Sequence, residues 1–293
     1  MNPTVKKYTL PVALVLGVVF HGFWHQLYFL SPYVIFAMLF ITFSKVSPRD
    51  MRPHKMHWPL LAFQFVLSFA LYFALCGVDD VLAQGLMMCI FMPAAMASAT
   101  VGGLLGANVT VMTTFILLSN VIVAVVSPFL FSMIGVESDL PFFAASLEVF
   151  KRIARLLILP LVCAWLLEWL APKAHAVVKK HQEWSFYIWA VTLMMLMGTM
   201  TDFFLEQSTH NYVTEILLAV GSLAICILQF VVGHHIGKKY GDKPAGTQSL
   251  GQKNTTLAIW MSLTFLNPLS AIAPACYVVW QNVINSWQIA RKK

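Results

Sequence analysis

Charge is what this sequence has least of. Only 11% of its 293 residues are Asp, Glu, Lys or Arg, against 59% hydrophobic, whereas a soluble globular domain is roughly 25% charged. Most of the chain therefore cannot face water. Acids are the scarcer sign, twelve against nineteen basic residues. The five cysteines (Cys76, Cys89, Cys163, Cys226 and Cys276) are scattered through apolar segments at no ligand-like spacing. That argues against a disulfide framework or a zinc site. A phosphate loop, a nucleophile elbow and a metalloprotease helix are all missing. ATP-driven transport and hydrolysis are left without support, no cofactor is implied, and the reading is not an enzyme.

What the chain has instead is apolar runs of about 17–25 residues, each long enough to cross a hydrocarbon core of ~30 Å. In lipid the backbone must satisfy its own hydrogen bonds, so such runs are helices. Ten spans fit: 8–29, 31–46, 57–77, 82–105, 108–134, 145–170, 184–204, 212–236, 246–266 and 269–289. The first has a basic start but no small-residue cleavage site, and reads as a retained span rather than a signal peptide. Fifteen of the nineteen basic residues fall in alternate connections or at the termini: Lys6 and Lys7; Lys45, Arg49, Arg52 and Lys55; Lys173, Lys179 and Lys180; Lys238, Lys239 and Lys243; Arg291, Lys292 and Lys293. The intervening connections carry acids only: Asp79 and Asp80, Glu137 and Asp139, Asp202 and Glu206. This positive-inside pattern places both termini in the cytoplasm. It also accounts for the net charge of +7 without nucleic acid.

Four basic residues remain. Lys151, Arg152 and Arg155 open span six, spaced as an amphipathic turn whose side chains snorkel to headgroups. The fourth is Lys253, inside span nine.

Spans four and nine are both interrupted. Span four holds "FMPAAMASATVGGLLGAN", with Pro93 and the Gly102-Gly103 pair; span nine holds "SLGQKNTTLA", with Gly251 and a polar cluster. Dividing the chain into 1–136 and 137–293 gives two halves of five spans, each with its broken span fourth. Five is odd, so the halves run in opposite directions. Interrupted helices at matching places in inverted repeats point to a transporter's midplane site.

Polar residues cluster at both breaks: Ser98, Thr100 and Asn108 at the first; Ser249, Gln252, Lys253, Asn254, Thr255 and Thr256 at the second. A single Ser or Thr there is as well explained by hydrogen bonds between helices. Lys253 is not. It lies ten residues beyond Lys243, which at 1.5 Å per residue puts it ~15 Å deeper, near the middle of a ~30 Å core. No span offers it a carboxylate, since Glu148, Glu168 and Glu215 lie toward span ends. Such a lysine faces carbonyls, water or an anionic ligand, or sheds its proton. Two histidine pairs read as structural: His21 and His25 in an interfacial aromatic belt, and His234-His235 as solvated residues at a helix end.

At these residues the chain resembles the bile acid:sodium symporter family, especially its bacterial ten-span members. "SPYVIFAMLFITFSKVSPRDMR" is similar to the family's second span and basic loop, and "AFQFVLSFAL", with Gln64, to its third. "MPAAMASATVGGLLGANVTV" and "SLGQKNTTLA" resemble its two break motifs, and "YVVWQNVINS" its last span. The resemblance implies crossing discontinuous helices four and nine. It also implies a core domain of spans 3–5 and 8–10, a panel domain of spans 1, 2, 6 and 7, and a bacterial inner membrane. Family positions for the first sodium ion are here Ser98, Ala99, Met112, Ile116 and Ser249, so the carboxylate and most oxygens are gone, and a hard cation wants oxygens. The second sodium site would use Gln64 and a glutamine that is here Lys253. A family threonine is Met96, while Asn254 and Asn282 survive on the substrate side.

The expected function is secondary active or facilitative transport of a small, bile-acid-like or other organic anion by alternating access. Lys253 replaces a sodium ion, and coupling is either absent or to protons through Lys253. Expected substrate contacts are Asn254, Thr255, Asn282, Ser98 and Thr100; the ion-mimic set is Lys253, Gln64, Ser249 and Gln252. The alternatives are a sodium-coupled symporter, a non-transporting receptor or scaffold, and a cation/proton antiporter, the last disfavoured by the lack of acids at the breaks.

Overall fold

Proline, glycine and short capping side chains decide where the apolar runs stop being continuous. A computed structural model describes residues 3–45, 47, 49, 51–134, 142–181, 183–206 and 211–291. Glu137 and Asp139, the boundary between the halves at 136–137, and Lys292 and Lys293 lie outside the described residues, as do the side chains of Lys6, Lys7 and Glu148. In chain order the helices are α1 (Pro3–Val19), α2 (His21–Gln26), α3 (Ser31–Phe43), α4 (His57–Leu75), α5 (Asp80–Phe91), α6 (Ala97–Leu105), α7 (Val109–Ile134) and α8 (Phe142–Ile153). There follow α9 (Leu159–Leu170), α10 (Pro172–Lys180), α11 (Trp184–Glu206), α12 (Tyr212–Lys239), α13 (Lys243–Gly251), α14 (Thr255–Phe265) and α15 (Ile272–Arg291). The described chain is all-α, and its one strand-like pairing is a bridge between Ala94 and Lys253.

Among the described residues, five helices are long and apolar enough to span a membrane: His57–Leu75, Val109–Ile134, Val149–Leu170, Trp184–Phe203 and Tyr212–Lys239. This suggests an integral membrane protein. Of the other expected spans, the second is the continuous apolar α3, short at 13 residues, and the rest are interrupted or less apolar. The first breaks at Phe20 (φ −103°, ψ 35°) between α1 and α2. The fourth is divided into α5 and α6, and the ninth into α13 and α14. α15 is 20 residues long, but Gln281, Asn282, Asn285 and Gln288 dilute its hydropathy.

The chain divides into two compact units. One comprises Met1–Arg49, Ser127–Ser132 and Ser138–His210. Within it, α11 packs along α1, α2 and α3, while α9 packs on α3. Asp202 of α11 receives both histidines of α2, one on each carboxylate oxygen: His21 through Nδ1, and His25 through Nδ1 at 2.7 Å. The pair is thus an internal tie across two helices. Lys151 and Arg152 are exposed, and Arg155 Nε donates to the Lys151 carbonyl at 3.0 Å; a π-helical turn, Ala154–Ile158, carries α8 into α9.

The other unit comprises Asp50–Val126, Met133–Glu137 and Asn211–Lys293. Several of its helices start on side-chain caps, which satisfy backbone N–H groups that have no partner inside the helix. Asp79 accepts from Leu82 N ahead of α5, Asp242 from Ala245 N ahead of α13, and Asn254 from Leu257 N ahead of α14. α6 ends on Gly106 at φ +89°, a left-handed conformation that glycine adopts without strain. α12 and α13 touch backbone to backbone: a Cβ on Gly246 would lie 2.4 Å from the Gly233 carbonyl oxygen and 2.6 Å from Gly237 Cα. Small residues allow that approach in a membrane helix pair.

Candidate functional site at the paired helix breaks

The two interruptions meet. Pro93 has no N–H to continue α5, and beyond it the chain runs extended before α6. α13 ends at Gly251, and Gln252 (φ −98°, ψ 108°) is extended as well. The freed backbone groups satisfy one another: Ala95 N donates to the Gln252 carbonyl at 3.0 Å, and Asn254 N to the Pro93 carbonyl at 2.9 Å. Ala94 and Lys253 sit at the centre of this bridge.

A side chain from a neighbouring helix completes each central residue. Ser119 Oγ of α7 accepts from Ala94 N at 3.2 Å, and Gln281 Oε1 of α15 accepts from Lys253 N at 2.9 Å. Carbonyls at the helix ends are met in the same way. Gln64 Nε2 of α4 donates to Phe91 O (2.8 Å) and Met92 O (3.1 Å), and the Tyr277 hydroxyl donates to Gly251 O at 2.9 Å. Gln229 Nε2 of α12 bonds Cys89 O and the Tyr277 oxygen. Farther out, two clasps are reciprocal. Asp242, ahead of α13, accepts from Asn108 N at 2.8 Å, and Gln84 of α5 accepts from Asn267 N at 2.9 Å.

Lys253 is the exception to this satisfaction. Its side chain is 1% exposed, and Nζ has no hydrogen-bond partner among the described residues. Gln64 Oε1, Ser98 Oγ and Ser249 Oγ are likewise buried and unpartnered. A buried group left unmet is rare and demands a reason. The amine lies within electrostatic reach of the Cys89 thiol, and no described carboxylate pairs with it.

No protein-family model matches the chain, and no curated protein matches it.

The structure places the sequence-selected residues unevenly. Gln64 and Lys253 lie at the bridge, Gln64 through the carbonyls beside it. Ser98 and Ser249 are buried on α6 and α13, flanking the breaks. Gln252 Nε2 turns back to Gln248 Oε1 at 2.6 Å. Thr255 is buried and accepts from Gln281 Nε2 at 3.4 Å. Asn254 is spent on capping α14. Two residues are not brought in: Thr100 is exposed on α6, and Asn282 Nδ2 donates within its own helix to Val278 O at 2.6 Å. Beside Asn282, the residue of α15 that reaches the break is its neighbour Gln281. Its signal lay in the same "WQN" string. Gln229 and Tyr277 carried none, standing singly in apolar helices, and Ser119 none beyond its polar neighbour Asn120.

Ala99, Met112 and Ile116 belong to one buried apolar cluster with Phe115 and Leu250. Met112 packs hard on α6: a Cβ on Gly102 would lie 2.2 Å from its sulfur.

Proposed function

We propose that the chain is a secondary transporter of a small organic anion, working by alternating access without sodium, with the Lys253 ammonium in place of a sodium ion. The observation that carries this reading is the Lys253 amine, buried and unpartnered at the bridge between two broken helices. A lysine in a bilayer costs at least a few kcal/mol, and its retention there argues for use. As a cation it supplies fixed positive charge where the resembled family binds sodium, and it attracts a carboxylate. The apolar packing of Ala99, Met112 and Ile116 supports the loss of the other sodium site.

Ten crossings in two inverted repeats is the topology this reading requires. The matched ties Ser119 to Ala94 and Gln281 to Lys253, and the reciprocal clasps at Asn108 and Asn267, favour such a repeat. The positive-inside pattern favours cytoplasmic termini, and the family resemblance favours a bacterial inner membrane.

The test is ligand-stabilised melting of the purified protein against a panel of carboxylates from acetate to cholate, since binding to the native state raises apparent stability. The best carboxylate is then followed into proteoliposomes. A carboxylate that stabilises the wild type but not Lys253→Gln is the expected result. Stabilisation and uptake unaffected by Lys253→Gln would overturn the role given to the amine.

A further inference from the structure

An open groove runs between α12 and α15 over α13, away from the breaks. Its volume is about 490 Å³, within the range of roughly 300–1,000 Å³ typical of ligand sites. The walls are apolar, with Phe230 and Val231 facing Val283 and Ile284. The polar atoms beneath are already engaged: Thr247 Oγ1 donates to the Lys243 carbonyl at 2.6 Å, and Gln288 Oε1 accepts from Gln248 at 2.6 Å. α12 is one of the five helices able to cross a membrane, so this groove offers itself to lipid.

One end of the groove is basic. His234 and His235 line it, and both are exposed. His235 Nδ1 is committed to the Val231 carbonyl at 2.8 Å, which leaves Nε2 free for a ligand. The Arg291 guanidinium stacks 4.4 Å from the centre of the Trp287 ring, which also lines the groove. Lys238 and Lys239 stand exposed on the next turn of α12. Asp242, just beyond, does not offset them, because its two oxygens hold Ala245 N and Asn108 N.

We propose that this groove binds one anionic phospholipid, the acyl chain along the apolar walls and the phosphate at the His234–Arg291 end. An apolar slot closed by cations at one end matches an amphiphile with a charged head. Basic pockets between membrane helices on the cytoplasmic side select anionic headgroups in this way. The inference rests on the membrane-spanning part of the proposed function and not on transport.

Native mass spectrometry of the full chain in mild detergent tests it, with chain-matched phosphatidylglycerol and phosphatidylcholine added in equal amounts. The expected result is a single-lipid adduct favouring phosphatidylglycerol by about tenfold, with about fivefold of that lost on removing the Arg291 charge. Arg291→Gln lowers this preference while phosphatidylcholine still binds. Val283→Trp, at a position already 58% exposed, fills the slot and removes both lipids without burying new bulk in the core. Equal binding of the two lipids by the wild type, or an adduct unaffected by Val283→Trp, would overturn the proposal. A protein dimer abolished by Val283→Trp would also overturn it, assigning the groove to a second copy. None of these readouts involves flux, so a failed transport assay and a failed lipid assay are separable.

Discussion

Ala94 and Lys253 pair across the two helix breaks as an antiparallel bridge, each with its N–H held by a side chain from a long neighbouring helix. The backbone N–H and carbonyl of Lys253 are both hydrogen-bonded, and its amine is not. That contrast separates a structural break, which the bridge explains, from a functional charge, which it does not.

Lys253→Met keeps the chain length and removes the unpartnered amine. It should stabilise the protein by about 1–3 kcal/mol, on the scale of a lysine's cost at the centre of a membrane helix, while abolishing uptake. Thermal unfolding in detergent measures the first and proteoliposome flux the second. A lower Tm would show that the amine is paired and holds the breaks together.

Gln281→Leu leaves Lys253 N–H buried without an acceptor, and should cost about 1–3 kcal/mol. Ser119→Ala does the same to Ala94 N–H, with a cost of the same order. If Asn282→Leu proves more damaging than Gln281→Leu in the same melts, the assignment of α15's inward face is wrong.

Gly246→Ala places a methyl against backbone atoms of Gly233 and Gly237, which cannot rotate away. The overpacking should cost about 1–3 kcal/mol or more. Gly22→Ala, where nothing lies within 4 Å, serves as the control and should change Tm little.

Asp79 gives a pH dependence of known sign. Burial raises its pKa, but the Thr214 hydroxyl at 2.5 Å and the amides of Leu82 and Val81 outweigh it, so the carboxyl is held below its usual value. The stability this adds is complete above the unfolded value of about 3.9 and fades as pH falls through the lower folded value. Thr214→Val should therefore lower Tm at neutral pH, with the gap to wild type closing as pH drops below about 4. A gap that widens on acidification would contradict the assignment.

The breaks were legible because they are chemical: Pro93 cannot extend α5, and Gln252-Lys253-Asn254 cannot sit in an apolar helix unnoticed. Counting from Lys243 also foresaw that Lys253 is buried. Facing was harder to read. Gln281 and Asn282 differ by one residue, about 100° around a helix of 3.6 residues per turn, and both are polar. Only packing shows that Gln281 turns to the break while Asn282 bonds its own helix. Partners distant in sequence were out of reach: Asp202 joins His21, 181 residues away, and the α12–α15 groove exists only once α13 lies beneath it. Hydropathy marked ten runs, whereas among the described residues five helices are continuous and apolar enough to span.

The central claim is that the charge of Lys253 stands in for sodium. Uptake of the best-stabilising carboxylate into proteoliposomes, with sodium fully replaced by potassium, tests it most directly, with wild type and Lys253→Gln side by side. The wild type should transport equally in both ions, and Lys253→Gln should be inactive in potassium, regaining flux only where sodium is present. Wild-type uptake that collapses in potassium, or no uptake of any carboxylate under either ion, would contradict the account.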